Sequence, residues 1–308
     1  MILCCGEALI DMIPGPTLSG QAGFVPHTGG AVFNTAIALG RLGARTGMLT
    51  GLSRDMFGQQ LSTALKASHV DTSLIITSDR PSTLAFVQLV DGQANYSFFD
   101  ENSAGRMLTP DALHPLPPEV SALFFGGISL VCEPGAETYV ALLERDGHDR
   151  AVMIDPNIRP GFIRDAALYR ARLARMMQQA DIVKLSDEDL AWLLPAPLSR
   201  REKVETIQDM GPSVMILTCG REGASGYLAD GTQVHVAATP VEVTDTVGAG
   251  DTFNAGLLAM LSEFGQLHKA KLPFLSPAQL QEALEHAARA AAVTVSRAGA
   301  NPPWAAEM

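Results

Sequence analysis

The stretch Val243-Thr244-Asp245-Thr246-Val247-Gly248-Ala249-Gly250-Asp251-Thr252-Phe253-Asn254-Ala255-Gly256 runs three small residues into a carboxylate and then into an apolar segment. Phe253, Leu257, Leu258, Leu261 and Phe264 follow the i, i+4, i+5, i+8, i+11 spacing of a helix with one buried face, which predicts a helix beginning near Asp251. Glycines ahead of such a start let backbone N–H groups approach an anion, and the helix N-terminus adds unpaired donors and a positive dipole end. An Asp at a helix start is also a common N-cap, and for Asp251 alone that is the simpler reading. A cap, however, has no use for the bare Gly248-Ala249-Gly250 backbone in front of it. An anion cradle beside a proton acceptor is the minimum apparatus for phosphoryl transfer.

The bulk composition supports an enzyme-sized globular body. A chain of 308 residues, 47% of them apolar, can bury a large core as one domain and is not a disordered polymer. No apolar run reaches the ~18 residues of a membrane span. Ile2-Leu3-Cys4-Cys5 reads as a strand, without the basic start or cleavage site of a signal peptide. Cys4, Cys5, Cys132 and Cys219 are scattered over apolar segments, as expected for reduced thiols in a cytoplasmic protein. A net charge of −11 with no Lys/Arg-rich run argues against nucleic acid as a partner.

Short apolar runs alternate with helical patterns through most of the chain. The runs 2–5, 46–50, 122–125, 151–155, 182–185 and 214–218 read as strands, and 31–42, 58–66, 136–145, 165–179 and 199–210 as helices. This alternation predicts an α/β fold: a mainly parallel sheet covered by helices on both faces, with ligands at the carboxyl ends of the strands. One part breaks the rhythm. The segment 82–99 reads as a β-hairpin around Asp91-Gly92, and the Gly/Pro-rich Met12–Pro26 can lie extended beside it. The expectation is a single domain over 1–308, with a small β lid built from about 12–26 and 82–103, and the lid is a candidate homodimer surface.

Asp245–Phe253 resembles the C-terminal signature of the ribokinase-like (PfkB) carbohydrate kinases. Gly29-Gly30-Ala31-Val32-Phe33-Asn34-Thr35-Ala36, followed by Leu39-Gly40-Arg41-Leu42-Gly43, resembles the N-terminal signature of that family, about 220 residues upstream. The likeness covers essentially the whole chain, and within the family it is nearest to the bacterial fructokinases. It implies an ATP- and Mg²⁺-dependent sugar kinase, with Asp251 as the base and the backbone of Gly248, Ala249 and Gly250 as the anion hole. It also assigns Asp11, Gly29, Gly30 and Asn34 to the sugar, with Asp11 expected at the end of the first strand. Asn157 and Arg159, in the stiff Asp155-Pro156-Asn157-Ile158-Arg159-Pro160 loop, join them. Phe98, on the lid, is a further sugar-packing candidate.

For the nucleotide, Thr218, Gly220 and Gly223 match the family's ATP loop, with Lys184 and Ser186 toward the phosphates. Ser186 and Asp189 stand where the family often has Asn-x-x-Glu, a departure that shortens the side chain available for Mg²⁺-bound water. The carbonyls of Asp245, Val247, Thr294, Arg297 and Gly299 match a monovalent-cation site, for K⁺, although Pro303 stands where some relatives supply a Ser hydroxyl. Two other functions stay open: a 2-keto-3-deoxygluconate kinase, and a sugar-binding regulator without chemistry. Asp100 and Glu101, near the sugar, are expected to repel the carboxylate of 2-keto-3-deoxygluconate.

Overall fold

The computed structural model describes residues 1–90 and 93–308; the Asp91-Gly92 turn expected from the sequence lies outside the described residues. The largest sheet has nine strands. Across it they run Gln233–Val236, Ala224–Leu228, Val214–Thr218, Ile182–Ser186, Ala151–Asp155, Ala122–Gly126, Ile2–Cys5, Thr46–Leu49 and Val70–Asp71. All neighbours pair in parallel except the first three, which form an antiparallel edge. The strands predicted over 2–5, 151–155 and 214–218 have those bounds in the structure, and the others differ by one residue.

The central strands are apolar throughout because both faces are covered. Side chains alternate between the faces. Cys4, Met48, Phe124, Met153 and Ile182 point into a core shared with the helices Ala31–Arg41, Ala249–Glu263 and Pro277–Val295. Leu3, Cys5, Phe125, Ile154 and Val183 point into a second core, under the helices Gly135–Asp146, Ala166–Met177 and Arg200–Gln208. The strand order turns at Ile2–Cys5, whose sequence successor Thr46–Leu49 lies on one side and Ala122–Gly126 on the other. Such a switch point opens a crevice at the carboxyl ends of the strands.

A separate four-stranded sheet stands at that edge, in the order Ala22–Gly29, Leu9–Pro16, Leu84–Val90 and Gln93–Phe99. The expected lid segment 12–26 is thus a true hairpin, reaching back to Leu9 and on to Gly29. This moves Asp11. Expected at the end of the first strand, it sits on Leu9–Pro16, because the first strand stops at Cys5 and the chain enters the small sheet four residues later.

Candidate active site

The Asp251 helix begins two residues earlier than the periodicity indicates, at Ala249. Gly248 is its N-cap, with φ 78°, a left-handed conformation that costs a side-chain-bearing residue energy. A Cβ there would also press on Ala300. Ala249 and Gly250 are therefore the first helical residues, with N–H groups that lack intrahelical acceptors; that of Ala249 makes one long bond, to the Thr246 carbonyl at 3.3 Å. Asp251 is in the first turn rather than at the cap. Its side chain is free of capping duty.

Asp251 is buried, and Asn34 Nδ2 donates to its Oδ2 at 2.9 Å. Burial pushes its carboxyl up to about 7; Asp155 and Glu7 push the same way, against the Asn34 bond and Lys184. Thr35 Oγ1 also donates to the Asp251 carbonyl, at 3.3 Å. The two signature segments, far apart in sequence, thus meet at one carboxylate. Asn34, expected at the sugar, holds the Asp251 carboxylate.

Beneath the Asp251 turn lies a second buried cluster. Asp155, ending its strand, accepts from Lys184 Nζ at 2.9 Å and from Asn254 Nδ2 at 2.7 Å, both on Oδ2. Lys184 is expected at the phosphates, and the structure corrects this: its ammonium is committed to Asp155 inside the protein. Burial works against its charge, yet the Asp155 carboxylate outweighs that and raises the Lys184 pKa. A Cβ on Gly250 would come within 3.5 Å of Lys184 Nζ, so the positive charge lies directly behind the anion hole. Asn254 Oδ1, buried on the same helix, has no partner among the described residues. Asp155 and Asn254 escaped sequence reading; their only signals were the strand end and the one-turn spacing from Asp251.

Ser186 and Asp189 also differ from expectation. They form a capping box on the helix Asp187–Leu193, in which Ser186 Oγ accepts the Asp189 N–H and Asp189 Oδ2 accepts the Ser186 N–H. Asp189 Oδ1 accepts from Ile158 N at 2.9 Å. The shorter Asp side chain closes on local backbone donors and braces the Asn157–Arg159 loop.

The sugar candidates from the small sheet share one face. His27, Asp11, Ala85 and Phe98 form a row across its four strands. A Cβ on Gly29 would collide with Asp11 Oδ2, so Gly29 makes room for the carboxylate. Burial raises the Asp11 carboxyl to about 6. Gly30, φ 107°, turns the chain into the Asn34 helix. Phe98 stacks with Tyr96 at 5.9 Å between ring centroids and meets Phe162 edge-on at 4.3 Å. This aromatic bridge joins the small sheet to the loop holding Asn157 and Arg159. Phe162 was missed because only the folded chain brings it to Phe98; Tyr96, two residues from Phe98 on one strand, was open to reading from the alternation. Asn157 takes φ 44°, its N–H donating to Asp155 Oδ1. The Arg159 guanidinium reaches only backbone carbonyls among the described residues, leaving its charge available.

Two further groups complete the cleft. Thr218 ends its strand, with Gly220 (φ 51°) and Gly223 (φ 95°) in the short turn after it. Asp245 gathers the cation candidates: its carboxylate accepts from Val247 N at 3.0 Å and from Gly299 N at 2.9 Å. Thr294 Oγ1 donates to Thr252 Oγ1, and the Thr294 carbonyl accepts from Arg297 N. Asp100 is not the free acid expected. It is buried in an ion pair with Arg106 at 2.8 Å, so its repulsion of an anionic sugar is largely cancelled.

The family model for the pfkB family carbohydrate kinases matches residues 1–307. A fructokinase of Rhizobium leguminosarum bv. trifolii is 50% identical over 281 residues, which cover 91% of this chain and 86% of that protein. A fructokinase of Xylella fastidiosa solved with bound ATP superposes with a TM-score of 0.88 at 27% identity, covering 97% of this chain and 93% of the other. A fructokinase double mutant of Vibrio cholerae O395, solved with fructose, ADP and potassium, superposes with a TM-score of 0.83 at 25% identity, over the same shares of the two chains.

Proposed function

The chain belongs to the pfkB family of carbohydrate kinases, and from that membership we propose that it transfers the terminal phosphoryl group of ATP to the 6-hydroxyl of D-fructose. As a fructokinase it acts on an alcohol acceptor. Fructose lies between Asp11, Gly30, Asn157, Arg159 and Phe98, and ATP lies along Thr218, Gly220 and Gly223. Asp251 takes the proton from the hydroxyl as its oxygen bonds to the γ-phosphorus. The bond from that phosphorus to the bridging oxygen breaks, and ADP leaves with the electron pair. The N–H groups of Gly248, Ala249 and Gly250 receive the charge that builds on the phosphoryl oxygens, with the Lys184 ammonium behind them. The observation that carries this reading is the buried, Asn34-bonded Asp251 in the first turn behind a left-handed glycine cap. A base titrating near neutrality suits proton abstraction at neutral pH.

The donor set suits Mg²⁺ arriving with the nucleotide. No three of the described His, Cys, Asp and Glu side chains cluster to cage a metal, and both Asp189 oxygens already accept N–H groups. Bound there, Mg²⁺ would neutralise phosphate charge. The carbonyls around Asp245 keep lone pairs that suit K⁺, and activation by K⁺ over Na⁺ would test that site. Among the described residues no helix is long and apolar enough to cross a membrane. The outer face of the small sheet, where Phe24, Phe86 and Phe99 touch edge-on at 5.0 and 5.3 Å, is the surface on which two copies would pair as lids. Sedimentation of Phe99→Lys beside the wild type tests it.

The deciding assay is coupled ADP release with Mg·ATP and fructose, 2-keto-3-deoxygluconate, ribose, adenosine or tagatose. Fructose is expected to give the highest kcat/KM. A higher value with 2-keto-3-deoxygluconate would support the second reading, which the Asp100–Arg106 pair and the available Arg159 favour. No sugar-dependent ADP release would leave a binding protein.

A further inference from the structure

Glu7 has no part in the reaction as described, yet it is one of the few carboxylates buried in this molecule. Among the described residues no Lys, Arg or His forms an ion pair with it. Its partners are backbone. Oε1 accepts from Ala31 N at 3.0 Å, Oε2 accepts from Ser129 N at 3.2 Å, and its main-chain carbonyl accepts from Phe33 N at 3.2 Å.

Two of these donors open the Asn34 helix, whose N-cap, Gly30, supplies no side-chain bond and whose first turn holds no acid. A helix start without a cap leaves N–H groups unsatisfied, a cost that capping side chains normally remove. Glu7 supplies that acceptor from 24 residues away. Its other oxygen holds the turn Gly127–Leu130, which follows the neighbouring strand. A Cβ on Gly127 would collide with the carboxylate, so the turn is closed tightly on it. One turn into the helix, Asn34 donates to Asp251 Oδ2 and Thr35 to the Asp251 carbonyl.

We propose that Glu7 is a positioning residue for phosphoryl transfer: by capping the Asn34 helix from the loop between Ile2–Cys5 and Leu9–Pro16, it fixes the helix against which Asp251 is aligned. It touches no substrate. It acts through Ala31, Asn34 and Asp251 in turn. The proposal rests on the reading of Asp251 as the base.

The bond can be cut from either side. Glu7→Gln keeps the side-chain size but offers one acceptor to two N–H groups and sets an amide donor against the other. Ala31→Pro leaves the Glu7 side chain chemically unchanged, removes the N–H it accepts and puts a ring carbon where that hydrogen stood, so the carboxylate is pushed off the helix start. Proline suits the first helical position, and Gly30, with ψ 133° and no Cβ, lies outside the α range of ψ that a following proline disfavours. Each variant is expected to lower kcat by roughly ten- to a hundredfold, the scale of a lost hydrogen bond to a charged group. KM for fructose and for ATP should stay within about twofold. The double variant should be no slower than the slower single, since both cut one bond. Folding is checked by circular dichroism, and Ala31→Pro decides alone if Glu7→Gln does not fold. Wild-type kcat in the folded variants, or losses that multiply in the double variant, would overturn the proposal. Asp251→Asn assayed alongside separates the two failures. If it turns over normally, the base assignment fails; if it is inactive while Glu7→Gln and Ala31→Pro run at the wild-type rate, only the Glu7 role fails.

Discussion

Along the carboxyl edge of the nine-stranded sheet, the polar groups are buried and bonded to each other: Asn34 to Asp251, and Lys184 and Asn254 to Asp155. On the small sheet opposite, Asp11, Tyr96 and Phe98 face the cleft from a partly open surface, and Tyr96 and Phe98 are aligned by ring contacts. The first region is finished before substrate arrives, so its dipoles and charges need no rearrangement during the reaction. The second can adjust to a ligand. Under the proposed function the contrast divides the labour: chemistry on the rigid edge, recognition on the small sheet. Substitutions in the first region should therefore act on turnover and stability, and those in the second on KM.

The largest effect is expected from Asp251→Asn, a loss of ~10²–10⁴-fold in kcat with fructose binding retained. Calorimetry beside steady-state kinetics reads both, and equal loss of binding and turnover would erase the division of labour. Lys184→Met comes next. It leaves Asp155 buried without its cation, which should cost about 3–5 kcal/mol of stability by urea unfolding. A loss within experimental error would mean the cluster is not the rigid element described.

The pH dependence bears on the same region. Asp251 must be ionised to act, so kcat/KM should rise about tenfold per pH unit below a midpoint near 7 and level off above it. The stability term runs the other way. With its folded pKa raised from 3.8 to about 7, Asp251 stabilises the folded state fully only below the unfolded value, and that contribution is lost as pH rises through about 7. Folded Asp251→Asn should thus melt above the wild type at pH 8, the gap closing as pH falls toward about 4. Identical melting at both pH values would contradict a raised Asp251.

The small sheet carries the milder predictions. Asp11→Asn should raise KM for fructose by ~10–100-fold with kcat within a few-fold, the scale of a charged hydrogen bond. Phe98→Ala should raise it ~2–10-fold, the worth of an aromatic contact. A collapse of kcat in either would move chemistry onto this sheet.

The same contrast governs what could be read from the sequence. Strands buried on both faces are uninterrupted apolar runs with sharp ends, so 2–5, 151–155 and 214–218 were legible to the residue. The Asp251 turn was legible because three small residues before an apolar helix have few other uses. The small sheet was harder. Leu9–Pro16 and Ala22–Gly29 mix Gly, Pro and polar residues on a half-exposed surface, which blurs the alternation that marks a strand. That is why Asp11 was assigned to the wrong strand. The Lys184–Asp155 pair and the Phe98–Phe162 contact depend on distances between remote segments, which no local spacing encodes. Ser186 and Asp189 carried a capping-box spacing that was readable, but it was read for metal instead.

The bond from Asn34 to Asp251 spans 217 positions of chain. On the ribosome, the segment bearing Asn34 emerges early and waits for the helix Ala249–Glu263 and the helix Pro277–Val295 packed on it. Until both have docked, the carboxylate has neither its burial nor its amide partner, and the glycine cap has no Ala300 behind it. A half-made chain can gather its early strands, yet it has no assembled means of spending ATP.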